Sequence, residues 1–91
     1  MSYIFHFNPD AMTTAKYDEI IRRLAAAGAG SPAGRLHHVC YGAADHLRVF
    51  DVWDSQQSFE KFGETLIPIL QDAGVDAGTP EVAPVHNIIK G

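Results

Sequence analysis

Asp51 stands in the middle of an apolar run, His-Leu-Arg-Val-Phe-Asp-Val-Trp-Asp-Ser from 46 to 55. Asp is depleted from strands and almost never fully buried unless paired, so this carboxylate either faces water or lines a polar cavity. The preceding run, Leu36 to Tyr41, brings His37 and His38 to the next strand. An imidazole beside a partly desolvated carboxylate can share its proton, which makes a general base for activated carbon acids and phenols. Asp51, His38 and His86, the last within Pro-Val-His-Asn-Ile-Ile, are therefore the candidate catalytic residues. Trp53, Tyr17 and Phe62 are the candidate substrate-binding residues, offering aromatic surface to a small apolar or aromatic molecule. The competing reading makes Asp51 and His38 a satisfied polar pair with no chemistry.

Other chemistries lack their residues. Five histidines invite a metal, yet no pair sits at i, i+4 on a helix and none lies near a Cys at zinc spacing, so no metal is expected. Cys40 is the single cysteine, lies in an apolar strand pattern and reads as a small hydrophobe. The glycines of Ala27-Gly28-Ala29-Gly30-Ser31 follow a helix rather than a strand, which is the wrong context for a dinucleotide or phosphate loop. No Gly-x-Ser-x-Gly elbow is present, and no cofactor is expected.

The elements that must position these residues follow from periodicity. Tyr3 to Phe7 is a strand closed by Asn8-Pro9-Asp10. From Thr13 the apolar residues fall at Tyr17, Ile20, Ile21 and Leu24, one face of a helix over about 13–28 that Thr13 or Thr14 caps and Gly28 ends. Leu36 to Tyr41 and His46 to Trp53 are strands joined by Gly42-Ala43-Ala44-Asp45, a hairpin. Asp54 or Ser55 caps a second helix with Phe59, Phe62, Leu66, Ile69 and Leu70 on one face, and Pro68 predicts a kink or restart near 64–68. Pro80 to Ile89 is a last, edge-type strand weakened by Pro84.

The order βαββαβ is the ferredoxin-like α+β pattern: a four-stranded antiparallel sheet in the order 4-1-3-2, with two helices on one face. The other face is apolar too and needs cover, for which a second copy of the chain is the simplest source. A homodimer through the open sheet face is expected. Pairing Tyr41 with His46 puts Val39, Tyr41, Phe50 and Val52 on one face, and Leu36, His38, Cys40, Leu47, Val49, Asp51 and Trp53 on the other. The first set is the better match for the apolar helix stripes. That assigns His38, Asp51 and Trp53 to the dimer side, with His38 and Asp51 as diagonal neighbours.

The segment Val-Phe-Asp-Val-Trp-Asp-Ser-Gln-Gln-Ser-Phe-Glu-Lys-Phe, residues 49–62, resembles the dimeric α/β-barrel superfamily around the antibiotic biosynthesis monooxygenases. There, a strand ending in Trp-acidic-Ser leads into a helix whose Phe residues pack under the sheet. The resemblance implies two ferredoxin-like subunits closing into an α/β barrel, each with a pocket. It also implies a range of activities: cofactor-independent oxygenation of aromatic polyketides, haem degradation, isomerisation and dehydration. The haem-degrading branch is matched at Asn8 but has Trp where Phe62 stands, and no His lies between Leu47 and Val85.

Length and composition set the outer bounds. Ninety-one residues, 46% apolar and 20% charged, make one globular domain over 1–91. A net charge of −4 without a basic cluster predicts neither a nucleic-acid nor a membrane partner. The absence of a signal-like start or an 18-residue apolar stretch predicts a cytoplasmic location. The expected function is small-molecule binding, with cofactor-independent oxygenation or isomerisation of an aromatic or enolisable substrate. The alternative is a non-catalytic ligand-binding or stress-associated module of the same fold.

Overall fold

The computed structural model describes residues 1–91. Six elements follow in the order β1 (Tyr3–Phe7), α1 (Thr14–Ala26), β2 (Arg35–Ala43), β3 (His46–Trp53), α2 (Gln56–Asp72) and β4 (Glu81–Pro84). The sheet order is β2-β3-β1-β4, with every neighbouring pair antiparallel. This is the ferredoxin-like arrangement expected from the element order.

Local chemistry sets the boundaries. Thr13 caps α1 by accepting from the Lys16 amide, and Ser55 caps α2 by accepting from Ser58. Pro68 does not interrupt α2, which runs from Gln56 to Asp72. Both Pro68 and Glu64 lie on the exposed side, so water can serve the Glu64 carbonyl that the missing amide leaves free. β4 is shorter than expected. It ends at Pro84, although the Val85 amide still donates to the Ser2 carbonyl.

The hairpin turns tighter than the four-residue loop predicted. Ala43 pairs with His46 around Ala44-Asp45, and Gly42, at φ +111, lets β2 continue to the turn. A Cβ at Gly42 would sit 3.0 Å from the His46 carbonyl oxygen. Relative to the expected register the pairing slides by two residues, which keeps every side chain on its face and sets His38 directly opposite Asp51.

The face assignment is reversed. His38, Asp51 and Trp53 point toward the helices, and Val39, Tyr41 and Phe50 lie on the open side with Ile4 and His6. The reason is volume. Burying a large apolar side chain is worth about 1.5–3 kcal/mol, and the layer under the helices collects Trp53, Leu47, Phe5, Phe7, Phe62, Ile20 and Leu24. Trp53 meets Phe59 edge-on at 5.6 Å between ring centroids and Phe62 at 5.3 Å, and Phe5 stacks on Phe59 at 4.3 Å. A bulge between Arg35 and His37 leaves Leu36 half exposed and turns Arg35 opposite Trp53.

Candidate functional site

Between α1, α2 and the sheet lies a cavity of about 70 Å³. That is room for several waters or one small organic group. Its walls are mostly apolar, with Phe7, Met12, Ile20, Leu24, Phe62 and Leu70 among them, and its polar groups are Tyr17, Arg35, His38 and Asp51.

Three of those groups form one hydrogen-bonded chain. Asp51 Oδ1 lies 2.5 Å from His38 Nδ1, and His38 Nε2 lies 2.6 Å from the Tyr17 hydroxyl. The Trp53 indole N–H donates to Asp51 Oδ2 at 3.3 Å. A carboxylate only accepts, so Nδ1 of a neutral His38 carries the ring proton and Nε2 accepts from the Tyr17 O–H. Each link comes from a different element. α1 brings Tyr17 one helical turn before Ile20 and two before Leu24, β2 brings His38, and β3 brings Asp51.

Burial shapes the electrostatics. Asp51 is 4% exposed, and both of its oxygens have partners. Burial, with added repulsion from the charges of Cys40, Asp51 and Asp18, pushes the Tyr17 phenol up to about 12, while the Arg35 guanidinium pulls the other way. Tyr17 thus stays protonated at neutral pH and serves as a donor or a proton relay. The Cys40 thiol, half-buried beside this layer, is pushed up by burial first and by Asp18 second.

The predicted site residues divide. His38, Asp51, Tyr17 and Phe62 come together at the cavity, whereas Trp53 is wholly buried behind Asp51 and anchors it rather than offering surface to a ligand. His86 lies beyond β4, exposed, and the β4 residue opposite His6 is Glu81. His6 instead hydrogen-bonds the Tyr41 hydroxyl at 2.6 Å on the open face. Arg35 was not among the predicted residues. It reaches the cavity through the β-bulge, which strand periodicity does not reveal.

No protein-family model matches this chain, and neither does any curated protein. Solved structures do. SnoaB, a cofactor-independent oxygenase from Streptomyces nogalater, is similar over 99% of this chain and 96% of its own, with a TM-score of 0.63 and 12% identity. A Deinococcus radiodurans protein provisionally assigned as an antibiotic biosynthesis monooxygenase has a TM-score of 0.66 and 15% identity over 97% of this chain and 96% of its own. One from Chloroflexus aurantiacus, with the same provisional assignment, has a TM-score of 0.58 and 20% identity over 99% of this chain and 97% of its own. The fold is that of antibiotic biosynthesis monooxygenase-like proteins. At such identities the likeness concerns the backbone, and chemistry in a monooxygenase-like fold must be argued from side chains.

Proposed function

We propose that this protein binds a small aromatic or enolisable molecule in the cavity between sheet and helices and removes a proton from it through the Tyr17–His38–Asp51 chain. The carrying observation is that chain itself, unbroken from a buried carboxylate to a phenol at the edge of an apolar cavity. The substrate's acidic O–H or C–H gives its proton to the Tyr17 oxygen as the Tyr17 proton passes to His38 Nε2, and Asp51 stabilises the imidazolium that forms. The resulting phenolate or enolate is electron-rich. Reprotonation at another carbon gives isomerisation, and reaction with dioxygen gives the oxygenation for which SnoaB is named.

A second reading has its own support, because every buried side-chain nitrogen and oxygen has a hydrogen-bond partner. A fully satisfied network can hold a binding module together without turnover.

Asp51→Asn separates the two. Asparagine keeps a carbonyl for His38 but turns an N–H₂ toward the Trp53 N–H, and it cannot balance an imidazolium. Oxygen uptake and product formation are measured with a panel of naphthols and enolisable aryl ketones. Loss of turnover by about 100-fold or more, with binding within a few fold of the parent, supports the base. Binding without turnover across the panel by the parent protein sinks the catalytic reading and leaves the binding module.

A further inference from the structure

Arg35 is a cation at the cavity without an acidic partner. The ion pairs of the molecule join Glu19 to Arg22 and Arg23, and Arg23 to Asp72, and Arg35 has a part in none of them. One guanidinium N–H donates to the Gly30 carbonyl at 3.1 Å, which leaves four of its five donors without a protein acceptor. The guanidinium carbon lies 5.7 Å from the centroid of the Phe62 ring, a wall of the cavity. Asp51 is the single acidic residue on those walls, and both of its oxygens are already engaged.

The position is built rather than incidental. Strand alternation alone would place residue 35 on the open face, and the bulge at Leu36 turns it to the helix side. Arg35 also borders the groove formed by Ile21, Gly28, Gly30 and Ser31, so it stands where the cavity meets the loop between α1 and β2. A mostly apolar cavity with one planar cation at its rim, whose one carboxylate is already engaged, matches an aromatic body bearing one planar anion.

Building on the cavity as the binding site, we propose that the ligand is an aromatic carboxylate. Its carboxylate is held by the Arg35 fork, its ring lies against Phe62, and its reactive edge faces Tyr17. Arg35 is then the residue that selects for charge.

Two probes of the same shape, 2-naphthoate and 2-naphthamide, test this by fluorescence titration at neutral pH and low salt. The expected result is tighter binding of naphthoate by about tenfold or more, as hydrogen bonds to a charged acceptor give. That preference should vanish in Arg35→Gln, remain in large part in Arg35→Lys, and shrink with added salt in the parent protein. Equal affinities in the parent protein overturn the proposal even if Arg35→Gln fails to fold, and so does a preference that survives in a folded Arg35→Gln. Equal binding of both probes leaves the cavity reading standing. Binding of neither at millimolar concentration removes the cavity reading and this proposal together.

Discussion

Asp51 holds two donors at once, and that decides what its removal does. In Asp51→Ala, His38 Nδ1 and Trp53 Nε1 lose their acceptor inside a packed layer, which should cost about 3–5 kcal/mol in urea unfolding. Asp51→Asn should cost less, because one acceptor remains. A loss below about 1 kcal/mol for the alanine variant would mean that water replaces the carboxylate freely. Tyr17 yields a pH prediction. Its folded value, raised to about 12, exceeds the ordinary 10, so between those values the unfolded chain releases the proton while the folded one keeps it. Stability should fall across that window and show no Tyr17 dependence below it. Tyr17→Phe should flatten the fall and remove a tyrosine ionisation near pH 12 from an ultraviolet titration. At this scale the sequence marked Asp51 and His38 because a carboxylate in a strand demands a partner. It could not mark Arg35, whose role depends on one bulged residue.

Gly34 shows how elements lock the site. Its φ is +89, its carbonyl accepts from the Asp54 amide at 2.8 Å, and a Cβ there would lie 2.5 Å from Ser58 Cβ and 2.7 Å from Asp54 Oδ1. The start of β2 is thereby pressed against the start of α2, which sets where Arg35 and Phe62 meet. Gly34→Ala should destabilise by about 1–2 kcal/mol from left-handed backbone alone, with the clash added, and should weaken naphthoate binding more than Cys40→Ser does. Unchanged urea stability would show that the β2–α2 junction yields. The elements themselves were legible: β1 and β3 fall on their predicted bounds, and Thr13 and Ser55 cap where their types suggested. The sheet faces were not. Period-2 alternation sorts side chains into two sets but does not label them, and both sets here are apolar, so the larger volume of Trp53 and its neighbours decided the matter. The two-residue slip in the hairpin is invisible to alternation for a related reason, since it moves no residue to the other face. β4 is shorter than its apolar composition suggests, because that composition continues through Ile88 and Ile89, both of which are exposed.

At the scale of the whole molecule, the sheet has one covered face and one open face. On the open side Val39 is 48% exposed and Tyr41 36%, with Phe50, Ile4 and His6 partly exposed beside them. The Arg48 guanidinium carbon lies 4.9 Å from the Tyr41 ring centroid, and the Tyr41 hydroxyl is tied to His6, so the polar groups on this face are arranged around its aromatic centre. A flat apolar surface of this kind is costly in water and complementary to a second copy of itself about a two-fold axis. We propose a homodimer formed through these faces. Because the cavity lies on the opposite side of the sheet, each subunit would keep its own Tyr17–His38–Asp51 chain, and dimerisation would support the site through β2 and β3 without entering it. Light scattering after size exclusion at tens of micromolar should give twice the chain mass of 9.9 kDa. Val39→Asp adds a charge where the isolated subunit is already exposed, so it should halve that mass, leave the circular dichroism of the fold intact and weaken naphthoate binding only a few fold. A parent protein that runs at 9.9 kDa removes the dimer. Loss of naphthoate binding in a folded monomeric Val39→Asp would instead place part of the site across the interface.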